Sequence, residues 1–320
     1  MSLATANRRG KLGAVRLWST IVGGLFLVAP RLLGQITAEV HFDEEQYLAH
    51  ESMIAAVKIV NFSGQTLKLG AEQDWLRFAV ESDNYYVAKR GDPPVVEPFD
   101  LPSAAKGTRR VDLAPYFDLG RPGHYRVTAT VRIAQLGQEI TSLPAKVNII
   151  SGTKLWELEF GLPLPPGNGE AAPEVRKYAL LQTMSQKRMR LYVRVSDRYD
   201  ARVYRVFPLG LLLSFSRPET QVDRQALLHV FFQTGAREFT YCVINPDGEL
   251  LKRQTHSYND AQTGARPRLH ADKDGKIGVA GGMRVVSSTD WPKPPDSEVP
   301  PPAPASPPPS PDKPEAGKEN

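Results

Sequence analysis

Residues 125–133 fix the class of fold. Tyr125, Val127, Ala129, Val131 and Ile133 point one way, and Arg126, Thr128, Thr130 and Arg132 the other. Strict period-two alternation is the signature of a strand with one face on a core and one in water, as in an antiparallel sheet. The same pattern predicts strands at Ile36–Phe42, 53–62, 66–69, 75–80, 85–88, 110–113 and Ala145–Ile150. Turn chemistry separates them at Asn61-Phe62-Ser63-Gly64, Gly91-Asp92-Pro93-Pro94 and Gly120-Arg121-Pro122-Gly123. Seven or more short strands in about 115 residues suggest a β-sandwich rather than βαβ units. No long stretch carries helical periodicity, and residues 43–50 are the one place where a turn of helix is expected.

A second β region begins near Ser151-Gly152. Trp156, Leu158 and Phe160 share one strand face, with Glu157 and Glu159 opposite, before a loop rich in proline and glycine up to Pro173. Strands resume at 178–182, 189–195, 201–207, 211–215, 227–233, 239–244, 249–254, 267–270 and 276–280. Asn245-Pro246-Asp247-Gly248 and Asp272-Lys273-Asp274-Gly275 mark two hairpins, because Gly after Asp supplies the positive φ that tight turns require. These strand pairs are too few to close a propeller, leaving a second sandwich or an open barrel.

The two ends read differently. The first 34 residues hold no acid and five cations, Arg8, Arg9, Lys11, Arg16 and Arg31, followed from Leu17 by a short apolar run. That is the layout of a secretory signal peptide, and the run is shorter than the roughly 20 residues a spanning helix needs. Cleavage is expected after Gly34. Leu32, larger than the usual residue three positions before the cut, keeps an uncleaved anchor as the alternative. Removing those five cations from 40 Lys plus Arg leaves 35, equal to the 35 Asp plus Glu. The positive excess therefore belongs to the export segment, and a whole-molecule attraction to nucleic acid or anionic membrane is not supported. At the other end, 12 of the 28 prolines follow Trp291. Proline without apolar partners builds no core, so a solvated, proline-rich tail is expected. The division is then 1–34 signal, 35–150 first β domain, 151–288 second antiparallel β domain and 289–320 tail. The one cysteine, Cys242, permits no internal disulfide and sits in a strand-like run, where a small buried hydrophobe is expected.

Two stretches carry a family likeness. Glu45-Gln46-Tyr47-Leu48-Ala49-His50-Glu51 running into Ala55-Ala56-Val57-Lys58-Ile59-Val60-Asn61 resembles the opening strands of bacterial immunoglobulin-like and macroglobulin-like domains. Tyr116-Phe117-Asp118-Leu119-Gly120-Arg121-Pro122-Gly123-His124-Tyr125-Arg126-Val127 resembles their late turn, where Pro-Gly reverses the chain and an aromatic plugs the core end. The chain as a whole, including residues 228–236, resembles exported β-sandwich proteins of verrucomicrobial type. The resemblance implies an immunoglobulin-like first domain. Such domains serve adhesion, carbohydrate binding and scaffolding alike, so it implies no single activity.

No catalytic residue, cofactor or metal is assigned from the sequence. There is no Gly-x-Ser-x-Gly, His-Glu-x-x-His or Walker loop, and the six histidines are scattered. The Asp272 hairpin imitates the middle of a calcium loop, but that alignment puts His270 first and Gly281 last, losing two charged ligands. Glu157 and Glu159 lie about 6.5–7 Å apart at strand spacing, within the range of inverting glycosidases. Nothing in the sequence raises a carboxyl pKa or supplies sugar-stacking neighbours there, so a solvated strand face is the expected reading. Asn61-Phe62-Ser63 is formally a glycosylation sequon and also a good turn.

The surface singled out is residues 188–195. Met189, Leu191, Val193 and Val195 take the buried face, while Arg188, Arg190, Tyr192 and Arg194 project together from the other. Guanidinium groups interleaved with an aromatic suit phosphate, sulfate or carboxylate on a polymer, with the ring stacking on a sugar. The expectation is an exported binding or scaffolding protein without enzymatic activity, periplasmic, cell-surface or extracellular. Its partner would be an anionic polysaccharide or an envelope protein. The alternative is a secreted carbohydrate-active enzyme or enzyme inhibitor whose site is assembled from residues distant in sequence.

Overall fold

In the computed structural model, residues 36–162, 174–259 and 265–293 are described, and their regular secondary structure is almost entirely β-strand. The expected signal segment, the loop of 163–173 and the tail from 294 lie outside the described residues. The first ten strands are β1 (Ile36–Phe42), β2 (Gln46–Leu48), β3 (Ile54–Asn61), β4 (Leu67–Leu69), β5 (Leu76–Ser82), β6 (Phe99–Leu101), β7 (Lys106–Asp112), β8 (Gly123–Ile133), β9 (Gln138–Thr141) and β10 (Ala145–Ile150). They form a sheet of order β1-β3-β7 and a second of order β2-β10-β8-β5, with β9 also on β8 and a small β4-β6 pair. All pairings are antiparallel except β10 with β2. The alternating faces of β1, β3, β5 and β8 close on one core that includes Val57, Ile59, Trp75, Phe78, Val127 and Val131.

That first sandwich is pinned at the end of β8. Tyr125 is buried, and its hydroxyl donates to the carbonyl of Arg121 at 2.6 Å, four residues upstream. This is the tyrosine corner of Greek-key sandwiches. The Tyr85 hydroxyl, 2.6 Å from that of Tyr125, joins the same knot. Tyr125→Phe is expected to cost about 1 kcal/mol, read as a lower chemical-denaturation midpoint, because one hydrogen bond of the knot is lost while the Tyr85 hydroxyl still donates to the Arg121 carbonyl.

The remaining strands are β11 (Thr153–Gly161), β12 (Val175–Ser185), β13 (Arg188–Asp197), β14 (Val203–Leu211), β15 (Glu219–Val222), β16 (Leu228–Gln233), β17 (Glu238–Ile244), β18 (Leu250–Ser257), β19 (Arg268–Ala271), β20 (Ile277–Ala280) and β21 (Met283–Val285). Two antiparallel sheets, β11-β12-β13-β14 and β15-β16-β17-β18-β21, face each other across a core of Tyr178, Leu180, Leu191, Val193, Leu228, Phe232 and Cys242. The arrangement is a second open sandwich, not a closed barrel. A β19-β20 hairpin covers the far side of the five-stranded sheet through Phe231, Phe239, Tyr241, Val243 and Leu269. With both faces covered, β16 and β17 are buried almost end to end. Their sequences are correspondingly near-continuous apolar runs rather than alternating ones.

Several local expectations change. Residues 43–50 contain β2 and a turn, not a turn of helix, because β2 hydrogen-bonds alongside β10. Residues 85–88 form no strand and leave a single bridge at Lys89–Phe117. Strand β14 runs on to Leu211 and stops there, so 211–215 is not a separate strand. The fold also extends past residue 288. Asp290 is 3% exposed and accepts hydrogen bonds from Thr255 and Arg284, and Trp291 pairs with Arg253 through both backbone groups. Both Gly-marked hairpins form as expected. Gly248 has a φ of 81° and packs against Arg205, where a side chain would collide. Among the described residues, no helix is long and apolar enough to cross a membrane.

Candidate functional site

Alternation along β13 is as the sequence predicts, but what covers each face is not. Arg188, Arg190, Tyr192 and Arg194 share the face opposite Leu191, Val193 and Val195. Only Arg188 among the four is exposed. Tyr192 is 2% exposed and packs with Leu181, Val206 and Leu48, the last from the first sandwich. Arg190 reaches across to Glu44 at 2.8 Å, and Arg194 meets Asp200 at 3.2 Å. Asp200 also accepts from Lys177 and Ser196. Burial pushes its carboxyl up, but these hydrogen bonds and the Arg194 charge hold it below the usual range. The middle of this face is therefore a docking surface between the two sandwiches, and the Tyr192 ring is not available to stack on a sugar. Period two reports which residues share a face and is silent about what lies against it.

The end of the same face is open. Arg188 and Arg190 line a groove of about 390 Å³ together with Arg253, Ser185 and Gln186, and no acid is among its lining residues. The β12–β13 connection that forms one wall turns at Gln186 and Lys187, with φ of 49° and 62°. Two consecutive positive φ values define a type I′ hairpin turn, which usually takes Asn or Gly, so the sequence carried no mark of it. Arg253 comes from the opposing sheet and donates to the Leu209 carbonyl. Gly210, at φ 145°, makes that crossing possible, since a Cβ there would lie 2.9 Å from the Arg253 guanidinium. Arg188 and Arg253 have no carboxylate ion-pair partner among the described residues. Arginines with unclaimed donors around a concave surface suit oxyanions, which they bind in bidentate fashion.

The other sequence candidates resolve one by one. Glu157 pairs with Lys154 at 2.8 Å and Glu159 with Arg198 at 3.0 Å, each on the surface. Asp272 Oδ1 accepts the backbone N–H groups of Asp274 and Lys276, as a hairpin Asx turn does. Asn61 is fully buried, donates to the carbonyls of Gln65 and Leu101, and accepts from Ser63. Its amide is unavailable to a glycosyl donor. Cys242 is buried in the core, and burial pushes its thiol up to about 12, which leaves it unreactive.

One cluster is not announced by any sequence motif. His229 on β16 lies 2.6 Å from the Tyr241 hydroxyl through Nδ1 and 3.1 Å from Asp223 through Nε2. The available signal was a histidine inside the apolar run Leu228-His229-Val230, since a buried imidazole needs partners. What could not be read was that they would come from a preceding loop and the neighbouring strand.

No family model matches the chain, and no curated protein matches it. Among solved structures, the crystal structure of Spo0M, a sporulation control protein from Bacillus subtilis, is similar at 9% identity and a TM-score of 0.28. The match covers 53% of this chain and 83% of that one. A likeness at that level transfers neither fold nor function.

Proposed function

We propose that the chain is an exported, non-enzymatic binding protein of the cell envelope or extracellular space that holds an anionic polysaccharide on its second sandwich. The observation that supports this is the acid-free groove lined by Arg188, Arg190 and Arg253. Its cations come from both sheets of one sandwich, so a ligand there would span the open end of the core rather than lie on a flat strand. The segment of residues 1–34 supports export, and the resemblance to immunoglobulin-like exported proteins fits a binding role. Arg188 and Arg253 would contact polymer oxyanions, with Arg190 shared between ligand and Glu44.

The test is binding of dextran sulfate, with neutral dextran as the comparison. The full chain is expected to bind the sulfated polymer and not the neutral one, more weakly as salt rises. Arg188→Glu is expected to lower that affinity at least tenfold, while Lys106→Glu on the first sandwich leaves it unchanged. Equal affinity of the Arg188 variant and the parent overturns the proposal.

A further inference from the structure

A second concave site lies on the opposite side of the five-stranded sheet, under the turn of the β19-β20 hairpin. It encloses about 430 Å³. Its floor is apolar, from Leu227, Val243 and Ile277, and its back wall is the Asp223–His229–Tyr241 cluster. Arg224, Lys252 and Lys276 stand exposed at its rim with Asp274, and none of the three cations has an ion-pair partner among the described residues.

The hydrogen bonds of the back wall can be assigned from chemistry. Asp223 is an acceptor only: its Oδ1 takes the N–H groups of Gln225 and Leu227, and its Oδ2 faces His229 Nε2. In the neutral ring the proton therefore sits on Nε2 and is donated to Asp223. Nδ1 is then the acceptor, and the Tyr241 hydroxyl donates to it at 2.6 Å. That commits the phenolic proton. The other neighbour of the Tyr241 oxygen is the Ile277 carbonyl at 3.4 Å, a second acceptor. Two oxygens face each other at the pocket wall with no proton between them, and such a pair takes an O–H or N–H donor from whatever enters. Burial pushes the Tyr241 phenol up to about 12, so the phenol keeps its proton at neutral pH.

We propose that this pocket binds a small hydroxylated organic acid of the sugar-acid class. A hydroxyl bridges the Tyr241 and Ile277 oxygens, the C–H face lies on Leu227 and Val243, and the carboxylate meets Lys252 and Lys276. The site is separate from the arginine groove and does not depend on it. A polar back wall above an apolar floor, with charge at the mouth, is the usual division of labour in small-ligand pockets.

Calorimetric titration of the full chain with D-galacturonate tests this. Binding at about 1 mM or tighter is expected, with D-galactose at least tenfold weaker because it lacks the carboxylate. Lys252→Gln combined with Lys276→Gln removes only exposed side chains and is expected to abolish the difference between the two sugars. Tyr241→Phe is expected to weaken galacturonate at least tenfold without changing its salt dependence. Arg188→Glu is expected to leave galacturonate binding unchanged, which separates this result from that of the groove. No binding of galacturonate by the parent chain, or equal binding by the double lysine variant, overturns the proposal.

Discussion

Tyr192→Ala is expected to destabilise the folded chain by about 3–5 kcal/mol, the range seen when a large buried aromatic is cut back to a methyl. The ring is 2% exposed and sits among Leu181 and Val206 of its own sheet and Leu48 of the first sandwich, with Ile150 and Val203 packed beside them. Truncation leaves a cavity shared by two domains. Neither side can close over it without giving up its own sheet geometry, so little relaxation is expected. The loss should appear as a lower denaturation midpoint together with a larger radius of gyration in solution scattering, as the two sandwiches separate. Binding of dextran sulfate should persist in the folded fraction, because the groove is lined by Arg188 and Arg253 rather than by this ring. Loss of polymer binding with unchanged stability would instead assign Tyr192 to the ligand.

Glu51 makes the same junction pH-sensitive. It is 8% exposed, and burial pushes its carboxyl from 4.5 up to about 7, offset in part by the Leu48 N–H it accepts at 2.7 Å and by the Arg190 charge, while Glu44 pushes the same way as burial. Between those two values the folded chain holds a proton that the unfolded chain has released. Stability therefore falls as pH rises from about 4.5 to about 7 and is level above that, by at most about 3 kcal/mol from this one group. Glu51→Gln keeps the acceptor for Leu48 and removes the titration. It is expected to match the parent near pH 4.5 and to exceed it in stability at pH 8, measured by denaturant unfolding at both. A variant no more stable than the parent at pH 8 would show that the buried carboxylate carries no such cost.

How much of this was legible in the chain depends on the range of the interaction involved. The strands β1, β8 and β10 follow from side-chain alternation, which is local, and the Asp247-Gly248 and Asp274-Gly275 turns from a backbone preference written into single residues. The Gln186-Lys187 turn was invisible because its φ values are imposed by the two long strands it joins, not chosen by its residues. Short β2 reads as a turn of helix for the same reason, since its partner β10 lies about a hundred residues away. The candidate groove was half legible. Arg188 and Arg190 stand out at period two, but Arg253 arrives from another sheet and no spacing announces it.

By itself, then, the sequence determined an all-β chain and the parity of residues 188–195 on β13. It also showed that its positive charge excess is confined to the first 34 residues. These are properties of the local chain: alternation, turn chemistry and composition. Tertiary structure alone decided that the Tyr192 face is a junction between sandwiches, that Asn61 is sealed, and that Asp223, His229 and Tyr241 meet. Each depends on what packs against a face, and burial is set by contacts between residues far apart in the chain.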